Sequence, residues 1–411
     1  MHMSNNKTAL VPRLRFPEFR YSGEWEISSF ETFIKLYRGS SPRPIQKFLT
    51  KKDGVNWIKI GDTKNAESFK IRSVEEQITH EGAQKSRFVK VGELILANSM
   101  SFGKTYEVEI DGCIYDGWFV LREYEEYFDK NFLLQQLNSD NMQKQYLALA
   151  AGGIVQNISS DIVYSTVIKR PTLEEQQKIA ACLSSIDDII AAEDKKLEAL
   201  GAHKRGLMQK VFPAEGKTLP EWRFQEFRGS GEWVISPLSE VCENLDSRRI
   251  PITEKDRKKG FTPYYGASGI VDYVDGFIFD EVLLCVSEDG ANLVARTYPI
   301  AFIISGKTWV NNHAHVLKFQ NSNTQVMVKN YINSINLEDF LTGMAQPKLN
   351  RAKLDIIPIP LPNEKEQEKI ADCLSSIDDL ITEQTKKIEA LRTHKRGLLQ
   401  GLFPSIEEVG E

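Results

Sequence analysis

The sequence predicts an α+β protein built as an internal repeat, in which two mostly-β α+β domains are separated by two long helices that pair as a coiled coil with pseudo-two-fold symmetry. Three observations predict it. The stretch Pro171 to Pro213 returns about 191 residues later as Pro362 to Pro404, with roughly 27 of 43 positions identical. A looser repeat leads into each domain, Val11 to Ser28 matching Leu219 to Ser236. Between the repeats lie short β-branched and aromatic runs broken by Gly, Asp and Asn, a strand-and-turn composition. The order is a first domain over 11–170, a first helix over 171–213, a second domain over 219–361 and a second helix over 362–404.

In each lead-in, Phe16/Phe224, Phe19/Phe227 and Trp25/Trp233 read as anchors that pack the segment onto its domain. A basic loop follows. Arg38, Arg43, Lys47, Lys51 and Lys52 in the first domain are answered by Arg248, Arg249, Lys255, Arg257, Lys258 and Lys259 in the second. A charge run is ordinarily a solvated face, but its return at the same place in two otherwise diverged domains points to phosphate contacts. Lys59, Lys104, Tyr264, Tyr265, His313, His315 and Lys348 complete the set of candidate nucleic-acid contacts. Helical segments are expected near Asn131 to Ala150 and Val326 to Leu341, each domain closing in a Gly-x-x-Gln turn, Gly153 to Gln156 and Gly343 to Gln346.

The repeated helix carries its apolar residues at alternating spacings of three and four, the seam of a coiled coil. In the first copy these are Ile179, Leu183, Ile186, Ile190, Leu197, Leu200, Leu207 and Val211; in the second, Ile370, Leu374, Ile377, Ile381, Ile388, Leu391, Leu398 and Leu402. Glu193 and Lys204 interrupt the first seam and recur in place as Gln384 and Lys395, so the two helices are expected to pack on each other. Pro171 and Pro362 suit helix starts, and Pro213 and Pro404 close the far ends. About 39 residues at about 1.5 Å each make roughly 58 Å, too long for an ordinary globular core.

The 411 residues are 41% hydrophobic, 10% aromatic and 27% charged, a globular composition with room for several cores. The first ten residues are left out of the fold. With no apolar run near about 18 residues and no signal-peptide pattern, a chain neither membrane-spanning nor secreted is expected. Five scattered cysteines without a CxxC pair fit reduced thiols in the cytoplasm. The net charge of −5 neither demands nor excludes nucleic acid, since a local basic patch suffices to bind a polyanion.

Several chemistries are disfavoured. Gly103-Lys104-Thr105 and Gly306-Lys307-Thr308 lack the earlier glycine of a phosphate-binding loop, for which Asn98 and Ala301 stand instead, and both read as turns. Strand alternation would put His313 and His315 on one face, but no further ligands are apparent, so no metal is expected. The acid-or-amide-Pro-Pro-aromatic motif of an amino-methyltransferase does not occur, nor a glycine-rich cofactor fingerprint, nor the Pro-Asp start of a metal-nuclease site. No catalytic residue is assigned, and the pattern favours a binding protein.

The chain resembles the specificity subunit of type I DNA restriction-modification enzymes over nearly its full length. The resemblance rests on the helix starts Glu175-Gln176-x-Lys178-Ile179-Ala180 and Glu366-Gln367-x-Lys369-Ile370-Ala371 and the helix ends Lys204-Arg205-Gly206-Leu207 and Lys395-Arg396-Gly397-Leu398. Trp57-Ile58-Lys59-Ile60-Gly61-Asp62 and Tyr264-Tyr265-Gly266-Ala267-Ser268-Gly269 add to it. It implies two target-recognition domains, each reading one half of a split, asymmetric double-stranded DNA sequence. It also implies an antiparallel coiled-coil spacer that docks two modification subunits; as the long rigid element joining the two domains, that spacer is expected to set the gap between the halves. Those subunits would carry S-adenosylmethionine and the catalysis, and a translocating nuclease subunit would join later. The alternative is a scaffold protein with two ligand-binding β domains that never touch DNA; salt-dependent DNA binding distinguishes the two.

Overall fold

Each helix repeat forms one unbroken helix, Leu173–Val211 and Glu364–Leu402, in the computed structural model, which describes residues 11–99, 103–150, 158–343 and 346–404. The caps are Thr172 and Asn363, whose side-chain oxygens accept the N–H groups of Glu175 (3.4 Å) and Glu366 (3.1 Å). Pro171 and Pro362 therefore sit just before the cap. Their carbonyls accept the side-chain amides of Gln176 and Gln367, at 3.0 and 2.8 Å.

The chain forms two compact units, the first taking residues up to Asp194 and from Lys387 onward, the second Lys195–Lys386. Each unit thus owns the start of one long helix and the end of the other. In the first unit the helix segments run antiparallel, Asp187 pairing with Lys395 at 2.6 Å and Asp194 with Arg392 at 2.9 Å. In the second unit Lys204 reaches Asp378 at 2.5 Å. Ile179, Leu183, Ile370, Leu374, Ile377 and Ile388 of the seam are buried. Ile186, Ile190, Leu197, Leu200, Leu207, Ile381, Leu391 and Leu398 are half-buried.

The lysines that break the heptad pattern are partnered in the same way twice. Lys395 and Gln135 both donate to Asp187, while Lys204 and Lys329 both donate to Asp378. Gln135 and Lys329 come from the domain helices Lys130–Leu137 and Ser322–Ser334, so each aspartate ties both long helices to a domain. The second of these helices starts earlier than its apolar pattern suggests, because the Asn321 side chain caps it through the N–H groups of Asn323 and Thr324. The turn at Gly153 to Gln156 lies outside the described residues, as does the middle of that at Gly343 to Gln346.

The two domains share one topology despite their diverged sequences. In the first, Lys35–Arg38, Trp118–Arg122, Leu94–Ala97 and Thr105–Val108 lie side by side with Lys70–Ile71 at the edge; in the second, Glu243–Asn244, Ala314–Lys318, Leu283–Ser287 and Ala301–Ile304 follow the same order. The other sheet of the first domain places Glu76–Ile78, Val55–Ile58, Gly112–Ile114 and Arg87–Val89 in sequence, with Leu49–Thr50 outside. Its counterpart places Gly269–Val274, Lys259–Gly266, Lys307–Val310 and Phe279–Asp280. Both contain one parallel pair, Val55–Ile58 with Gly112–Ile114 and Lys259–Gly266 with Lys307–Val310. Gly103 and Gly306 both have positive φ, consistent with turns, and a Cβ on Gly103 would fall 2.4 Å from the Tyr146 ring.

Each unit is closed by the helix end it borrows. Phe403 packs on Trp25 and Phe132 in the first unit (6.2 and 5.3 Å between ring centroids), and Phe212 packs on Tyr331 in the second (5.4 Å). The lead-ins are fixed by a duplicated bidentate ion pair. Arg15 donates to both oxygens of Glu175 at 2.8 and 2.7 Å, and Arg223 to both oxygens of Glu366 at 2.6 Å. The remaining arm of each guanidinium donates to the lead-in's own carbonyls, Gly23 in one unit and Ser230 with Gly231 in the other.

Glu366 is fully buried, so Glu366→Ala strands the Arg223 guanidinium. The expected loss is about 3–5 kcal/mol in denaturant unfolding followed by tryptophan fluorescence. Truncating the exposed neighbour Glu364→Ala should stay within about 0.5 kcal/mol.

Candidate nucleic-acid interface

The basic loops enter matching places in the two sheets. In the first domain Ile78 pairs with Leu49 on one side and with Val55 on the other, and Lys51 to Gly54 is the connection that carries the chain across. In the second domain Val274 pairs with both Lys259 and Thr262, and Gly260 and Phe261 form an excursion. Lys51, Lys52, Lys258 and Lys259 are all exposed, and among the described residues none has an ion-pair partner within 4 Å. Lys47 and Lys255 are likewise exposed on short 3-10 turns.

Elsewhere in the first domain, Arg38 is exposed and donates to the Asp116 carbonyl at 3.2 Å. Arg43, its side chain 83% exposed, lies 3.8 Å from the Asp116 carboxylate. Lys59 is half-buried and paired with Glu76 at 2.7 Å, which removes most of its free charge. Lys104 is also half-buried; burial lowers its pKa against the pull of Asp140. In the second domain Arg248 pairs with Glu281 at 3.0 Å over the Phe279 ring, and Arg257 pairs with Asp272 at 3.3 Å over the Tyr264 ring. Tyr265 is half-buried and stacked on Phe302.

Three of the candidate contacts are internal. Tyr264 is 1% exposed, and its hydroxyl bonds the backbone N–H of Ile252 at 2.9 Å. His315 is fully buried in the strand Ala314–Lys318, with Nδ1 2.6 Å from the Asp246 carboxylate and Nε2 2.7 Å from the Leu349 carbonyl. Arg249 bonds Glu288 at 2.7 Å and the Ala314 carbonyl at 2.8 Å, and lies 3.4 Å from Asp246. With their polar atoms committed inside the domain, these residues shape the fold and do not face a ligand. The expected alternation also fails, because His313 lies in the turn before the strand, exposed and 2.8 Å from Asp289. Lys348 is half-exposed and held 3.2 Å from Glu288.

The internal cluster has a geometry that the sequence did not reveal. Ligand atoms of Asp246, Glu288 and His315 lie within 4.8 Å of one another, a spacing that could hold a metal ion. The Arg249 guanidinium lies among them and already supplies the positive charge, which fits an ion-pair network better than a metal site. Burial alone would raise both carboxyls. The hydrogen bond and charge of His315 carry Asp246 below the ordinary range, and the Arg249 hydrogen bond, His315 and Lys348 do the same for Glu288.

A family model described as "Type I restriction modification DNA specificity domain" matches residues 22–202 and 230–392. A Haemophilus influenzae protein named as a type I restriction enzyme specificity subunit is 35% identical over 37% of this chain and 38% of its own length. The type I restriction enzyme MjaVIII specificity subunit of Methanocaldococcus jannaschii is 26% identical over 61% of this chain and 64% of its own. In both, the match spans less than two thirds of the relative. Among solved structures, the type I restriction-modification system S subunit from M. genitalium superposes with a TM-score of 0.63 at 16% identity, covering 97% of this chain and 100% of that one. That likeness is one of fold.

The lowered carboxyls make stability pH-dependent in a definite sense. A group whose folded pKa is depressed stabilises above its unfolded value and loses that contribution as pH falls through the folded one. Asp378, where burial is outweighed by hydrogen bonds from Lys204 and Lys329, adds to Asp246 and Glu288. The urea midpoint should therefore be flat from about pH 7 to about pH 5 and drop below about pH 4. Asp378→Asn should lower the neutral-pH midpoint and make the acid drop shallower.

Proposed function

From the chain's membership of the family of type I restriction modification DNA specificity domains, we propose that it is the sequence-reading subunit of a type I restriction-modification complex. Its two domains each read one half of a bipartite, asymmetric double-stranded DNA target. The observation that carries this reading is the exposed lysine pair, Lys51 with Lys52 and Lys258 with Lys259, at the entry to the strands Val55–Ile58 and Lys259–Gly266, which have matching neighbours in two domains with one topology. Lysines there fix phosphates in sequence-independent fashion, and the diverged side chains around them read bases. A duplicated reader in one chain suits paired half-sites, and divergence between the readers makes the halves differ.

The proposal assigns methyl transfer and S-adenosylmethionine to partner modification subunits, two per chain, and gives this chain no catalytic role. Ile189 and Leu380 occupy equivalent positions in the two long helices and are 44% and 56% exposed. Large aliphatic side chains left in water at the same place in two copies favour one docking position per helix. DNA cleavage belongs to a further translocating subunit.

Lys51→Ala with Lys52→Ala should weaken binding to every duplex and lower the slope of log K against log salt by about one per lost contact. Fluorescence anisotropy at several salt concentrations measures this; a changed base preference at constant slope would contradict the phosphate assignment. Methylome sequencing tests the readers: exchanging residues 219–361 for those of a relative should alter one half of the methylated sequence and leave the other. Ile189→Asp should leave one modification subunit bound where the wild type binds two, as counted by native mass spectrometry. An unchanged count would remove Ile189 from the docking surface.

A further inference from the structure

We propose that Phe261 is a base-contacting residue of the second domain, presented just after phosphate-contacting Lys258 and Lys259; this rests on the DNA-recognition reading above. Phe261 is 99% exposed although it belongs to a strand, Lys259–Gly266. The exposure is built into the backbone. Lys259 and Thr262 both pair with Val274, so Gly260 and Phe261 are extruded between them. Extrusion requires glycine at 260, because a Cβ there would lie 2.3 Å from the Val274 carbonyl oxygen and 2.5 Å from the Asp275 nitrogen. Such irregularities re-aim a side chain, and this one aims a phenyl ring entirely into solvent.

Charge and position select the occupant. Lys258 and Lys259 directly precede the ring, exposed and without ion-pair partners among the described residues. Nearby, Arg257 neutralises Asp272, while Glu254, Asp256 and Asp275 are exposed acids in the same stretch, set against Lys255, Lys258 and Lys259. The connection that precedes the corresponding strand of the first domain, Lys51 to Gly54, has lysines and no apolar side chain at all. What the two segments share is positive charge, the property a phosphate backbone selects; a protein partner chosen for apolarity would find nothing on the first. The aromatic is the part that differs, as a reader of a different half-sequence should. A phenyl ring contacts bases by wedging between steps or by packing on a thymine methyl, and both depend on sequence.

The test uses the full chain with its modification partner, a duplex bearing the methylated sequence and a scrambled duplex of equal length, titrated by anisotropy at several salt concentrations. Phe261→Ala should weaken binding to the first duplex about tenfold or more, change the second by less than about twofold, and leave the salt slope unchanged. Phe261→Trp should retain most of the preference. Lys258→Ala with Lys259→Ala should weaken both duplexes and lower the slope. Because Phe261 buries nothing, thermal melting of Phe261→Ala should match the wild type, separating readout from folding. Equal loss on both duplexes, or none on either, overturns the assignment. Unchanged DNA binding with loss of a modification subunit would make Phe261 a protein contact and overturn it equally. If the wild type binds no duplex in a salt-dependent way, the DNA-recognition reading falls and this one with it; if the wild type binds and Phe261→Ala binds identically, only this one falls.

Discussion

A buried guanidinium–carboxylate pair, made once in each unit, is the contact on which the rest of the architecture depends. Arg15 with Glu175 and Arg223 with Glu366 join the segment that enters a domain to the helix that leaves it. Domain and helix are thereby held at one angle, because the bidentate fork fixes direction as well as distance. Around each pair the supporting contacts repeat. Lys178 lies over Phe16 and Lys369 over Phe224, while Leu14 donates to the Gly401 carbonyl and Trp222 to that of Lys210. Burying such a pair is costly for stability, so its retention in two copies points to geometric specificity, which an apolar contact would supply less sharply.

The same division of labour runs through the domains. Strand order, the parallel pair at the centre of one sheet and the closing ribbon are common to both, whereas the side chains at the excursions and on the exposed edges differ. A sheet core tolerates exchange of one β-branched or aromatic residue for another as long as volume and alternation are kept. Trp57 and Tyr264 show this: each lies buried on the strand that has one parallel and one antiparallel neighbour. Recognition can therefore change at the surface while the scaffold that presents it stays the same.

The helices, their seams and the aromatic anchors were legible in the sequence because duplication doubles a periodic signal. The fate of individual charges was not. Arg249, Tyr264 and His315 read as contacts because they sit among basic and turn residues, yet all three are consumed inside the second domain by Asp246, Glu288, Ile252 and Leu349. Their partners lie anywhere from 3 to 69 residues away and share no spacing rule, so linear patterning cannot pair them. A usable signal did exist for the Arg–Glu lock: Arg15/Arg223 and Glu175/Glu366 are identical at matching places in both repeats. Two opposite charges kept identical in both copies suggest a partnership. The common topology was hidden for a different reason, since strand pairing is set by long-range register that diverged sequences encode with different residues.

The polar breaks in the helix seam follow from the same need for a single register. An all-apolar seam between two helices of this length would let one slide along the other by a heptad at little cost, since each leucine would find an equivalent hole. Lys204 opposite Asp378 and Lys395 opposite Asp187 prevent that, because a slipped helix would leave a lysine and an aspartate facing apolar neighbours. Lys329 and Gln135 add a constraint no isolated coiled coil has, since they bind the same aspartates from the domain helices. The register of the helices and the seating of each domain are thereby fixed by one carboxylate per unit. Each domain consequently keeps a set position relative to its own stretch of helix.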